Sequence, residues 1–393
     1  MDYIQKGIWF SVNICNKNKM TEHSERLHGL DHLRSLAIIL VLMYHYRMFK
    51  HPLWLENAGK FGWTGVDLFF VLSGYLISGQ LFKETEKKGQ INLRFFYIKR
   101  FFRIIPPYAF TLFLYFTFPF FREREALPPL WKFITFTQNF GLNVIDEGTF
   151  SHAWSLGIEE QFYLFLPLFL LFLKQIRRLK HLPGLILLLV IFSSGIRWIV
   201  WNEFLISGND NSLEFWKLWY MKIYYPTYTR LDGLGIGVLA GYLMQYSSWF
   251  KKNVHRYGNR IFFLGILLLG ISFGICNDPA TERASVFGFT LVAFSYGFIV
   301  LSAVSSSSFL SRYRSYFTAQ LAVLSYAVYL SHKGIIHMIQ VGMEYLGMET
   351  SGNISLFICL LSCIAGGLVY RIIIEKPFSK LKDNLLYRNN RKI

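Results

Sequence analysis

Arg34 and His45 are the residues whose types and spacing most directly suggest chemistry. Both lie within Gly29 to Phe49, a stretch apolar and long enough to cross a bilayer. They stand eleven positions apart, which at about 100° per residue puts them roughly 20° apart on one helix face and about 16 Å apart along the axis. A charged or titratable side chain within hydrocarbon costs roughly 2 to 3 kcal/mol or more, so a polar stripe along a span marks a functional site by default. The plainer alternative is that Arg34 snorkels to the interface and His45 only bonds a neighbouring helix. Imidazole is the side chain that titrates near neutrality, which suits His45 to take or give a proton.

Further titratable residues fall at the starts of later apolar runs: Asp67, Glu159 and Glu160, Arg230 and Asp232, with His332 fifteen residues into another. A carboxylate beside His45 would orient its ring, and by helical face Glu159, which shares a side with His152 and Ser155, suits that better than Glu160. Asp67 and Asp232 are the other acids considered, with Asp232 paired to Arg230. The alternative for these acids is a buried ion pair that only fixes helix positions. Arg100 and Arg103 precede Pro106 and Pro107. Proline suits the first turn of a helix, whose N-terminal end attracts anions, so the two guanidiniums beside it form a candidate anion site. Positive anchoring at the interface is the alternative, and it suffices for Lys83, Lys87 and Lys88. No metal cluster is expected, because His332 and His337 are five apart and point to different faces.

The elements that must position these residues are membrane helices. The 393-residue chain is 53% apolar, 18% aromatic and only 17% charged, a membrane composition. Its net charge of +17 does not indicate nucleic acid, because the basic residues cluster in short connections between apolar runs. Ten runs are candidate spans: about 30 to 49, 63 to 82, 104 to 121, 155 to 173, 182 to 201, 229 to 246, 260 to 277, 286 to 304, 317 to 340 and 354 to 374. The connections alternate in charge. Lys83 to Arg103 holds seven Lys and Arg, whereas Arg122 to His152 holds three and the segment 341 to 353 holds none, which places the basic set and both chain ends in the cytoplasm. On this topology Arg34 lies near the cytoplasmic end of the first span, while His45, Asp67, Glu159, Glu160, Arg230, Asp232 and His332 share the outer half. Gly233, Gly237 and Gly241 recur every four residues and permit close helix packing. Trp131, Trp216, Trp219, Tyr220, Tyr224 and Tyr225 lie in the outer connections, as an aromatic belt or as stacking surfaces for a sugar. Cys15, Cys276, Cys359 and Cys363 offer neither metal spacing nor a disulfide framework.

The motifs resemble membrane acyltransferase family 3, bacterial integral-membrane enzymes that modify cell-surface sugars. The matches, in order, are Arg34 with His45, Gly65-Val-Asp-Leu-Phe-Phe-Val-Leu-Ser-Gly-Tyr-Leu-Ile77, Arg100 and Arg103 before Ile104-Ile-Pro106, Ala153-Trp-Ser-Leu-Gly-Ile-Glu-Glu-Gln-Phe-Tyr163, Thr229-Arg-Leu-Asp-Gly233, Leu324-Ser-Tyr-Ala-Val-Tyr-Leu-Ser-His332 and Glu375-Lys-Pro-Phe378. The resemblance implies an all-α polytopic bundle. It comprises a cytoplasmic lead over 1–28, of which 1–19 reads as an extension from an upstream start, an acyltransferase domain over 29–376, and a basic cytoplasmic tail over 377–393. It implies His45, Glu159, Glu160 and Asp67 as catalytic candidates, and Arg34, Arg100 and Arg103 as the residues that bind acyl-CoA. Arg230, Asp232 and His332 would complete the polar pocket. Acyl-CoA is then a co-substrate, with no tightly bound cofactor, and the acceptor is a glycan or lipid-linked sugar reached from the outer side of the bacterial plasma membrane. A proton-coupled secondary transporter is the competing class; it predicts inverted repeats and broken helices, and neither is visible in the sequence.

Overall fold

The computed structural model describes residues 27–206, 212–279 and 281–390. The expected lead and its upstream-start extension lie outside the described residues except for Leu27 and His28. Within the described residues the chain is helical and has no strand. Its long helices are α1 His28–Tyr46, α2 Thr64–Lys88, α3 Leu93–Thr117, α4 Trp154–Gln175, α5 Leu182–Val200, α6 Leu231–Tyr246, α7 Gly258–Ile275, α8 Phe289–Ala303, α9 Tyr316–Tyr345 and α10 Asn353–Tyr370. Each of the ten apolar runs falls on one of them. Six helical stretches among the described residues are long and apolar enough to cross a membrane: Thr64–Lys88, Ser151–Gln175, Leu179–Leu205, Gly258–Ile275, Ala284–Ala303 and Asn353–Leu386. The protein is a membrane protein. The basic segment expected as a tail is helical from Lys376 to Asn390.

α1 is fixed at both ends, and that sets where its polar stripe points. Near its start, Ser35 donates to the Thr318 carbonyl at 2.6 Å and His32 Nδ1 meets the Thr318 hydroxyl at 2.7 Å. Near its end, Gln340 donates to the Tyr46 hydroxyl at 3.0 Å and to the Lys50 carbonyl at 2.7 Å. The register of α1 against α9 is thereby pinned on both sides of His45.

α2 lies against α6 through the small residues seen in the sequence. A Cβ added at Gly74 would run into the Leu234 carbonyl, and one at Gly237 into the Val71 carbonyl. The two backbones approach so closely that only glycine fits, as in small-residue packing of membrane helices. The contact also brings two buried ion pairs together. Arg230 Nη2 meets Asp67 Oδ1 at 2.8 Å and Arg197 Nη1 meets Asp232 Oδ2 at 3.0 Å. The expected pairing of Asp232 with Arg230 is therefore incorrect. Arg230 turns to α2, and α5 supplies Arg197, which also bonds the carbonyls of Val286 and Thr229.

A second correction concerns α3. It starts at Leu93, capped by Asn92, whose side chain accepts from the Phe95 amide at 3.0 Å. Pro106 and Pro107 lie inside the helix, so no helix N-terminus faces Arg100 and Arg103. A strong cap upstream sets the start, and the prolines are accommodated within the helix, where the Tyr326 hydroxyl of α9 donates to the Ile104 carbonyl at 3.2 Å.

Candidate active site

Three histidines meet where α1, α9 and the turn before α4 converge. His332 Nδ1 lies 2.8 Å from the Tyr329 carbonyl and 3.2 Å from the Val328 carbonyl. A carbonyl cannot donate, so Nδ1 carries the proton and Nε2 of the neutral ring is an acceptor. That Nε2 lies 2.8 Å from His45 Nδ1, which must therefore be the donor. His45 Nε2 is left as a bare lone pair. The backbone of α9 thus sets the tautomer of His332, and His332 sets that of His45.

His152 completes the group, with its ring centroid 4.7 Å from His332 and 5.7 Å from His45. It sits on the short 3₁₀ turn Ser151–Ala153. The preceding turn residue, Phe150, adopts a left-handed backbone with φ 55°, a conformation a bulky residue keeps only when its surroundings enforce it. Its amide donates to Glu123 Oε1 at 3.1 Å, and its ring stacks on Tyr115 at 4.4 Å. Glu123 is in turn held by buried Lys333 at 3.2 Å, which also reaches the Ser151 hydroxyl. The Tyr329 hydroxyl donates to the His152 carbonyl at 2.7 Å, and Ser155 donates to Tyr329 at 2.6 Å. Tyr329 therefore holds His332 with its carbonyl and the His152 turn with its hydroxyl.

Two cavities flank this layer. His45 and His152 line one of about 280 Å³, together with Trp63, Trp154, Trp216, Tyr44, Tyr220, Tyr224 and Tyr225. Arg34, Arg100 and Arg103 line the other, of about 130 Å³, with Ser73, Glu159, Glu160, Tyr163 and Tyr329. Val66 lines both. Arg34 and His45, on one face of α1, thus open onto different cavities. In the arginine cavity Glu159 accepts from Ser73 at 3.1 Å and from Tyr163 at 3.0 Å.

A family model described as an acyltransferase domain matches residues 27–371. The chain belongs to acyltransferase family 3. A Staphylococcus aureus (strain COL) protein named as a candidate O-acetyltransferase is 28% identical over 373 residues, covering 90% of this chain. The O-acetyltransferase OatA of S. aureus strain NCTC 8325 and that of strain COL are each 28% identical over 378 residues, again covering 90% of this chain. The chain spans 57% of the length of these relatives. No solved structure matches it.

Within this acyltransferase-family chain the expected site residues divide into three groups. His45 and His332 are in direct contact. Arg34, Arg100, Arg103, Glu159 and Glu160 share the arginine cavity, whereas the side chain that orients His45 is the His332 imidazole. Asp67, Arg230, Asp232 and Arg197 form the paired network between α2, α5 and α6. Asp67 is not among the residues lining either cavity. Among the described residues no group of histidines, cysteines and acids has the arrangement of a metal site. Sequence reasoning misses His152 as a site residue, although it immediately precedes the Ala153–Tyr163 motif and shares a helix side with Glu159, and it gives no role to Arg197, Ser73, Tyr163 or Tyr329.

Proposed function

We propose that this chain transfers an acyl group, most simply acetyl, from cytoplasmic acyl-CoA to a hydroxyl of an extracytoplasmic acceptor, a glycan or lipid-linked sugar. The observation that carries the reading is the chain of hydrogen bonds running from the Tyr329 and Val328 carbonyls through His332 to His45, which leaves His45 Nε2 as a lone pair in a cavity adjoining a cluster of three arginines. His45 Nε2 takes the proton of the acceptor hydroxyl while its oxygen attacks the thioester carbonyl; the new C–O bond forms, the C–S bond breaks, and the imidazolium returns the proton to the coenzyme A thiolate. As His45 becomes positive its Nδ1–H bond to His332 becomes charge-assisted and strengthens in the transition state. His332 acts as a positioning residue, because it works through His45.

Arg34, Arg100 and Arg103 take the phosphates and pantetheine arm of the donor. Arginine suits this role through its fixed fork of donors. Arg100 has donors to spare for a ligand, since its contact with Gln80 is long, at 3.5 Å. The whole arrangement sits in ten spans of a bacterial plasma membrane, with both ends and the arginine cavity on the cytoplasmic side. Names of relatives support O-acetyl transfer as the class.

The test is release of the coenzyme A thiol from acetyl-CoA by the purified chain in proteoliposomes. The wild type is expected to release thiol, and the double variant Arg100→Gln, Arg103→Gln to raise the KM for acetyl-CoA by about 10- to 100-fold, the loss of two charge-assisted contacts. An unchanged KM would return both arginines to interfacial anchoring. A chain that carries a solute across the bilayer without releasing thiol would be a transporter.

A further inference from the structure

The acyl-transfer reading uses one free histidine nitrogen, and the histidine cluster has two. His332 commits both ring nitrogens, and His45 commits Nδ1. His152 Nε2 donates to the Leu330 carbonyl at 3.3 Å, so its Nδ1 is an acceptor, and that Nδ1 is buried with no partner. His45 Nε2 and His152 Nδ1 are thus the two lone pairs of the cluster that no protein group satisfies among the described residues. Both rings line the same aromatic-walled cavity. A buried acceptor without a donor is uncommon and calls for an explanation.

We propose that His152 is a specificity-determining residue whose Nδ1 accepts a hydrogen bond from a second O–H or N–H of the acceptor, next to the hydroxyl that His45 deprotonates. This rests on the acyl-transfer reading and deepens it: the preferred acceptor is a vicinal diol or hydroxy-amide, as on a sugar ring, and an isolated alcohol is a poor substitute. The geometry supports it. The His45 and His152 rings are 5.7 Å apart between centroids, a separation that two neighbouring hydroxyls bridge when each makes a hydrogen bond of about 2.8 Å. The His152 backbone is held through the Phe150 amide at Glu123 and the His152 carbonyl at Tyr329, and its ring through the Leu330 carbonyl. The surrounding Trp154, Trp216 and Tyr224 rings offer apolar faces for the C–H side of such a ring. A site built to receive a donor discriminates against an analogue lacking it far better than an apolar pocket rejects an extra hydroxyl.

The experiment supplies acetyl-CoA with 1,2-propanediol and 1-propanol at equal concentrations and measures how ester product partitions between them. Wild type is expected to favour the diol by about tenfold or more after allowance for its second hydroxyl. His152→Phe, which keeps a ring without nitrogens, should bring the ratio close to parity, and His152→Gln, which keeps an acceptor, should hold it above that of the phenylalanine variant. Folding is followed by protection of buried Cys359 and Cys363 from maleimide. If His152→Phe loses that protection, the ratio is read on His152→Leu. A wild type with no preference for the diol, or a phenylalanine or leucine variant that keeps the wild-type ratio, overturns the proposal. Thiol release from acetyl-CoA in the same tubes keeps the two readings apart, because its absence in wild type sinks acyl transfer itself.

Discussion

His45→Gln is expected to lower acyl transfer by about 10² to 10⁴-fold, the range that positioned acid–base catalysis contributes, while the protein stays folded. Glutamine has nearly the reach of histidine and can still donate a hydrogen bond to His332 Nε2, so the packing of α1 on α9 survives. It cannot take a proton at neutral pH. The loss should fall on kcat with little change in the KM for acyl-CoA, because His45 lines one cavity and the arginines line the other. A structural histidine would give the opposite pattern, near-normal turnover with weakened maleimide protection of the buried cysteines. Turnover within a few-fold of wild type would remove His45 from the chemistry.

The second large effect is on stability. Asp67→Leu leaves the Arg230 guanidinium fully buried without its ionic partner, and breaking a buried pair in this way costs about 3 to 5 kcal/mol. Ring faces then remain around Arg230, with Phe289 3.9 Å from its charge centre and Tyr224 4.8 Å away. The double variant Asp67→Leu, Arg230→Met removes both charges and should recover most of the loss, because a buried pair replaced by apolar groups of similar volume is often neutral. Thermal unfolding in detergent, followed by labelling of Cys276, provides the readout. Equal destabilisation of the single and double variants would show that the two residues do not act as a pair. An Asp67→Leu protein of normal stability and no activity would restore Asp67 to the chemistry, the role its motif suggests.

What is legible in the sequence follows from periodicity. The spacing of Arg34 and His45 is close to a whole number of helical turns, so the two share a face wherever α1 packs. Glycines four apart mark a close helix contact, and α2 is the helix they meet. Partner choice is not legible, because it depends on which helices become neighbours. Asp232 has an arginine two residues before it, yet its partner is Arg197, brought across by α5; no local pattern distinguishes those options. The start of α3 is misread because proline is a common first-turn residue, whereas the Asn92 cap, eleven positions before Arg103, sets the actual beginning.

The histidine cluster shows the same limit. His45 and His332 are 287 positions apart, and nothing in either motif says that one imidazole bonds the other. Placing both at one membrane level makes the contact possible; the ties at Ser35, Thr318, Tyr46 and Gln340 that pin α1 to α9 make it specific. His152 is hidden for a different reason. Its position rests on the left-handed backbone at Phe150 and on the Glu123–Lys333 pair, which are tertiary features without a local signature.

Sidedness of transfer in proteoliposomes of one defined orientation tests most directly whether donor and acceptor reach His45 from opposite faces. Labelled acetyl-CoA is supplied on one face only and a pyranoside acceptor on the other, in both arrangements. Labelled ester is expected when donor meets the face nearer the arginine cavity and acceptor the face nearer the histidine cavity, and little product when the two are exchanged. Equal product from both arrangements, or product only when donor and acceptor share a face, would contradict a donor path and an acceptor path that meet at His45 from opposite sides.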